Sequence, residues 1–349
     1  MKFSISTTVV SVRDGERRWD LDGYLAECES ADALGFEFAY KGERRGHGPH
    51  SGTHGVVNNA QLIAQFGLAE TERLKFASGV VLLPLYHPVT VIQDAAMINA
   101  MYPGRYRLTV GAGYLQDDFD VYGLDLSERP LRMRRGLEAI NAFRSGKPFR
   151  FAEDDPWRGS VPPRDPAMGD LVPEVWVGAW SDVGVKIAAL GDGWETGPIS
   201  STAHLSHLAG LYREECAKLG KTPRIAILRE AAIAPTDEAA RGLLGKYILD
   251  YHRIYYRRGN AYYKPKWEPW IEEVGSADDI TLDHVLRNRA LVGSPATWIE
   301  MLEEWREILD PEEIILRLRY FHGPGLDTAL EGQRMVASEV MPHFEDGRT

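Results

Sequence analysis

Cysteine is nearly absent from this chain: Cys28 and Cys216 are the only two in 349 residues. Both fall in segments with helical patterning, far apart in sequence. One bridge between them stays open as an alternative. The expectation is two buried free thiols in a reducing compartment, hence a cytoplasmic protein. Long apolar runs are also missing, and none approaches the roughly 18 residues that a membrane-spanning helix needs. The N-terminus, MKFSISTTVV, runs straight into a strand pattern and lacks the layout of a signal peptide. Positive charge is in deficit: the formal net charge is −11. That argues against a nucleic-acid or anionic-membrane partner, either of which wants a basic face. A local basic pocket for a phosphate remains compatible, and the nearest run is Tyr255-Tyr256-Arg257-Arg258. There is no low-complexity segment and no repeat with the period of roughly 20–50 residues that marks solenoids.

What is present is a globular composition, 44% apolar and 26% charged, in a chain long enough to bury a large core. Strand and helix patterns alternate from end to end. Strands are expected at Lys2–Val10, Phe36–Tyr40, Leu74–Leu83, Tyr106–Val110, Val175–Gly178, Gly193–Thr196, Arg224–Ala234 and Glu313–Leu318. Helices are expected between them. Gly35 closes the first, Pro88 opens the third, and Ser127 and Ser181 stand as N-caps. Eight strand–helix units fit a (β/α)8 TIM barrel of one domain over residues 1–349, with insertions at about 144–172 and 236–292. A doubly wound open sheet has the same alternation and stays as the alternative.

In a barrel, function sits at the C-terminal ends of the strands. The loops there read GERRGHGPHSGTHG, LPLYHP, GAGYLQDDF, GAWSD and ETGPIS. Glycines in such loops let backbone N–H groups approach a ligand, and a serine-capped helix start favours an anion. His47, His50 and His54 follow one another closely, but an irregular glycine-rich loop without cysteine is a poor zinc site, so no metal is expected. Arg229 and Glu230 are adjacent charges in an apolar strand. Adjacent strand residues face opposite ways, so one of them must point into the barrel and find a partner or ligand there. His87 reads as a turn residue, Trp194 as core or pocket wall, and Glu195 and His322 as pocket candidates. The aromatic stretch from Tyr251 to Trp270 reads as a lid over an apolar substrate or as a protein–protein patch.

Several ordered blocks resemble the bacterial luciferase-like flavin-dependent monooxygenase family. They are LGFEFAY, the long run LKFASGVVLLPLYHPVTVIQDAAMINAMYPGRYRLTVGAGYLQDDFDVYGLD, VPEVWVGAWSDVGVKIAALGDGW, LVGSPATWIEMLEE and ASEVMPHF. The resemblance implies a (β/α)8 barrel, paired as a homodimer, that binds FMN or the deazaflavin F420. It implies a non-proline cis peptide at Gly79-Val80, behind the flavin ring and next to Ser78. An ordinary strand-end bulge is the competing reading of that glycine. It places the flavin phosphate near Gly111, Ala112, Gly113 and Tyr114, and near Gly178, Ala179, Trp180 and Ser181.

Two departures from the family stand out. Many members carry an arginine where this chain has Ala112, so phosphate binding should be weaker. Many have Glu-His-His where this chain has Glu43-Arg44-Arg45. An arginine stays protonated and cannot act as a base, although it can stabilise an anion. His47 can supply the acid–base function instead. Glu43, Arg44 and His47 are therefore the expected polar groups at the reacting end. The activity implied is oxygenation of a small organic substrate with reduced FMN and O2 through a C4a-(hydro)peroxyflavin, by hydroxylation or Baeyer–Villiger insertion. No second dinucleotide-binding domain is visible, so a separate NAD(P)H:flavin reductase is the expected partner. The alternatives are F420-dependent hydride transfer on the same barrel and a non-catalytic flavin-binding barrel.

Overall fold

Runs of β-branched and aromatic residues bounded by glycine, proline or a charge become the strands of this protein. The computed structural model describes residues 1–46, 57–161, 171–257, 265–286 and 289–345. Its eight barrel strands are β1 (Lys2–Ser6), β2 (Phe38–Lys41), β3 (Lys75–Ser78), β4 (Tyr106–Gly111), β5 (Val175–Ala179), β6 (Gly193–Thr196), β7 (Ile225–Ile233) and β8 (Glu313–Arg317). Their hydrogen-bonded order is β5-β6-β7-β8-β1-β2-β3-β4, and β4 also pairs with β5. The sheet is thus closed and parallel, with helices between the strands: a (β/α)8 barrel.

Chain contacts divide the molecule into two compact units. The first comprises residues 1–37, 196–210 and 225–349, and holds β1, β7 and β8. Its helices include α1 (Leu21–Leu34), the first half of α6 (Thr202–Lys218), whose second half belongs to the other unit, α7 (Asp237–Arg257), α8 (Pro295–Leu309) and α9 (Leu326–Met335). Gly35 ends α1 in the left-handed conformation (φ 84°), as expected. Ser294 caps α8, and the buried Trp298 of that helix donates its indole N–H to Ala232 O (3.0 Å). The second unit comprises residues 38–195 and 211–224, with β2 to β5 and most of β6. It contains α2 (Ala60–Ala69), α3 (Pro88–Met101), α4 (Arg129–Arg144) and α5 (Asp182–Ala188). Proline opens α3 as expected, and Asn59 caps α2 through the N–H groups of Gln61 and Leu62.

Three local expectations are corrected. The first strand stops at Ser6, and Val10–Arg13 instead pairs antiparallel with Glu16–Trp19 in a separate hairpin. Its two-residue turn, Asp14-Gly15, has positive φ at both positions (54° and 77°), the geometry that a tight hairpin demands. Ser127 is not the cap of α4. Asp125 accepts its N–H (2.7 Å) at the head of a short 3-10 turn that leads into the helix. The excursion after α4 is not wholly irregular, since Phe149–Arg150 pairs with Ser160–Val161. Both cysteines are free and buried. No helix among the described residues is long and apolar enough to cross a membrane.

Candidate functional site

The second unit gathers the loops that follow β2, β3, β4 and β5, and Glu43 ties two of them together. Its backbone N–H donates to Val80 O (3.1 Å), and its carboxylate Oε1 accepts the Leu82 N–H (2.7 Å). The side chain is buried, and loss of water pushes its carboxyl up to about 7, against the pull of Arg45, the Leu82 N–H and the Tyr86 hydroxyl. Oε2 lies 3.5 Å from an Arg45 nitrogen. A buried carboxyl poised near neutrality is suited to hold or release a proton.

Arg44 turns the other way. Its guanidinium forms an ion pair with Asp118, whose side chain is fully buried. Asp118 Oδ1 also accepts the backbone N–H groups of Arg45 (2.7 Å) and Gly46 (2.8 Å), so this one carboxylate fixes the whole turn. At Gly46 an added Cβ would lie 1.9 Å from Asp117 O; only a glycine lets the loop seat so closely. Arg44 also lies over the Tyr114 ring (5.7 Å), and Tyr114 meets Trp180 edge-on at 5.4 Å. The loops after β2, β4 and β5 therefore touch in sequence.

Beside them lies a floor of small residues. The Gly79-Val80 peptide is cis, as the family resemblance implied. The Val80 side chain occupies the space above Gly111 and Gly178, where a Cβ on either glycine would come within 2.6 Å of a Val80 methyl. Ser78 faces the core instead, donating to Thr109 O and accepting from Thr109 N–H, both at 3.0 Å. Ala112 is half-buried. Ala179 is buried, and its carbonyl accepts the Trp194 indole N–H (2.8 Å). Ser181 caps α5 through the Gly184 N–H (3.1 Å), as expected. Of the residues singled out from sequence, Glu43, Arg44, Gly79, Val80, Gly111, Tyr114, Gly178 and Trp180 are joined by direct contacts.

Other candidates have plainer places. His87 precedes α3 without capping it, and its ring packs on Phe151 (5.6 Å) and Trp157 (6.4 Å) of the excursion. Trp194 is core, fully buried against Tyr212. His47, His50, His54 and Arg258 lie outside the described residues. Among the described residues no cluster of His, Cys, Asp or Glu is placed to hold a metal.

In the first unit, Arg229 and Glu230 divide as strand geometry requires. Arg229 lies over Trp305 at 4.8 Å, and its guanidinium is pushed down to about 9 by burial and by nearby Arg289. Glu230 stands in register with Arg317 and holds His252 at 2.7 Å. Asp118, His252 and Arg317 went unremarked in the sequence as site residues. Arg317 carried a usable signal, because it is a charge at the end of an apolar strand, as Glu230 is within one.

Comparison with known proteins gives one family. The model described as luciferase-like monooxygenase matches residues 1–312. A flavin-dependent trigonelline monooxygenase, oxygenase component, from Acinetobacter baylyi is 22% identical over 368 residues, covering 100% of this chain and 97% of that one. Another curated relative, 30% identical, is matched over only 32% of its own length. Among solved structures, the oxygenating constituent of 3,6-diketocamphane monooxygenase from Pseudomonas putida, in complex with FMN, superposes with a TM-score of 0.76 at 19% identity, covering 98% of each chain. An F420-dependent secondary alcohol dehydrogenase with an F420–acetone adduct reaches 0.72 at 17% identity, covering 99% of each.

Proposed function

The chain belongs to the luciferase-like monooxygenase family, and from that premise we propose that it is the oxygenase of a two-component system. It takes reduced FMN from a separate NAD(P)H:flavin reductase and uses O2 to oxygenate a small organic substrate. Bound reduced FMN would supply the activation of O2; the protein supplies position, dryness and proton control.

The observation that carries this reading is the buried carboxyl of Glu43, pushed up to about 7, beside a floor of small residues at the ends of β3, β4 and β5. A flat ring needs such a floor, and a reacting flavin edge needs a group that holds or releases a proton near neutral pH. In this reading Glu43 is that group; His47, four residues on in the sequence, lies outside the described residues and is proposed to share the acid–base role. Arg44 acts as a positioning residue, since Asp118 engages its charge. The phosphate would rest on backbone N–H groups of Gly111–Tyr114 and Gly178–Ser181. Ala112, where many members have an arginine, supplies no charge of its own to that phosphate. A homodimer in the cytoplasm is the expected working form.

Anaerobic titration with reduced FMN and, in parallel, reduced F420 tests the proposal, followed by admission of air. Tight binding of reduced FMN with O2 consumption that depends on the protein is expected. Binding of F420 alone would move the function to hydride transfer, and binding of neither would remove the flavin from the reading.

A further inference from the structure

The loops after β2, β3 and β4, all in the second unit, bring three oxygen-bearing side chains into a row. The chain turns sharply after β3, where Leu83–Leu85 form a 3-10 turn and the Tyr86 N–H donates to Leu83 O (3.1 Å). Tyr86 leaves that turn in extended conformation and lays its ring against the apolar group of Leu82, Leu85 and Phe119. Its hydroxyl hydrogen-bonds the Glu43 carboxylate on one side and the Tyr122 hydroxyl on the other. Tyr122 stands on the turn after Phe119, with its N–H on Phe119 O (3.0 Å), and its ring meets that of Tyr86 edge-on at 6.0 Å. Glu43 is 6% exposed, Tyr86 is half-buried and Tyr122 is 39% exposed. The row therefore runs from a buried carboxyl out to water. Arg45 lies along it, with its guanidinium 5.2 Å from the centre of the Tyr86 ring and one nitrogen 3.5 Å from Glu43 Oε2. The other titratable groups nearby are Tyr106 of β4, Asp94 of α3 and His87. The buried hydroxyl of Tyr106 is bonded to Gln61, and the ring of His87 packs on Phe151 and Trp157, so both lead away from the row.

A carboxyl so enclosed needs a path by which its proton comes and goes. A phenolic hydroxyl can be a link in such a path, because it donates one hydrogen bond and accepts another. With Tyr86 donating to Glu43, Tyr122 donates to Tyr86. Burial and the Glu43 charge hold the Tyr86 proton well above the ordinary tyrosine range, so Tyr86 hands a proton on without resting as a phenolate. The nearby Arg45 cation favours negative charge on Glu43 and, in passing, on Tyr86. The packing of Tyr86 against Leu82, Leu85 and Phe119 asks only for its ring. The hydroxyl is the part that the packing does not require.

We propose that Tyr86 and Tyr122 form the proton path between solvent and Glu43, and that Tyr86 is thereby a positioning residue for the proton step of the oxygenase. The second clause rests on the oxygenase reading; the first does not. The transfer balances along the row. Water gives a proton to the Tyr122 oxygen, Tyr122 gives its own hydrogen to Tyr86, and Tyr86 gives its hydrogen to the Glu43 carboxylate. Each hydroxyl oxygen breaks one O–H bond and forms one, and the net change is one proton moved from water to Glu43. Release runs the same steps backwards.

The test uses purified flavin-free protein and the infrared band of the protonated Glu43 carboxyl, identified by its loss in Glu43→Gln. Titration gives the midpoint, and a light-triggered drop in pH gives the rate at which the band appears. In the parent the midpoint should lie at about 7. Tyr86→Phe keeps the ring and removes the donor to the carboxylate, so its midpoint should rise by about half a unit or more. Its proton uptake should slow by about tenfold or more. Tyr122→Phe should slow uptake as well, with a midpoint close to that of the parent, because Tyr122 does not touch Glu43. Thermal melts confirm that the variants fold. A parent-like midpoint in Tyr86→Phe, parent-like uptake in either variant, or no carboxyl band that Glu43→Gln removes would each overturn the path. Failure of the parent protein to bind reduced FMN would instead strike the oxygenase reading and leave the path to the infrared result.

Discussion

Replacing Glu43 with glutamine should make the protein more stable at pH 8 and leave it unchanged near pH 4.5. The folded carboxyl is pushed up to about 7 from an ordinary 4.5, chiefly by burial. It therefore binds its proton more tightly than the same group in the unfolded chain. Between about pH 4.5 and 7 the folded state holds more protons, so stability falls as the pH rises through that window. Below it both states are protonated, and above it both are ionised and the whole penalty is in place. A shift of this size corresponds to about 3 kcal/mol at 1.36 kcal/mol per unit. Glutamine keeps an oxygen for the Leu82 N–H (2.7 Å) and carries no charge to desolvate. The attraction of Arg45 at 3.5 Å is lost, but that attraction is already included in the shifted value. Urea unfolding of both proteins at half-unit steps from pH 4.5 to 8.5 gives the difference directly. It should grow across the window with a slope approaching 1.4 kcal/mol per unit. A flat difference, or a less stable variant at pH 8, would show that Glu43 is comfortably ionised against Arg45 and would remove it as a proton carrier.

Other perturbations follow from the same geometry. Asp118→Asn removes the charge partner of the half-buried Arg44 and weakens two backbone contacts, so a loss of about 3–5 kcal/mol is expected in chemical denaturation. Gly178→Ala should cost about 1–3 kcal/mol by collision with Val80, and Val80→Ala should recover much of it. Additive effects in that double-mutant cycle would refute the contact. Arg229→Met should be neutral or stabilising by about 1–4 kcal/mol, because Arg229 is buried, near Arg289, and among the described residues hydrogen-bonded through one long contact to Leu228 O (3.4 Å). A melting temperature well below that of the parent would show that its charge is satisfied.

The barrel was readable because its signals are local. Pro88 can stand only in the first turn of a helix, and Gly35 only just beyond one, so both boundaries fell where the chain put them. The Asp14-Gly15 turn was equally legible as a hairpin signal, but the β-branched run up to Val10 masked it. Ser127 and Asp125 are both competent caps, and only three-dimensional placement chooses between them. The site was legible as loops and not as pairings. Arg44 and Asp118 lie 74 residues apart, and nothing in either segment announces the other. Glu230 and Arg317 become neighbours only through strand register, which no single segment encodes. Glu43 was expected at the reacting end from its place in the loop after the second strand; its burial, and hence its altered acidity, belongs to the packing of the loops around it.

The two thiols have a practical consequence. Cys28 and Cys216 are almost wholly enclosed, and burial raises both above the ordinary thiol range, so neither presents a thiolate at neutral pH. The native protein should therefore be silent toward maleimide and iodoacetamide. A single cysteine introduced at an exposed position such as Val183 or Met97 would then be the only reactive sulfur on the molecule. Fluorophores or spin labels can be attached there without first stripping the native residues, and distances can be followed while ligands are added to otherwise unaltered protein.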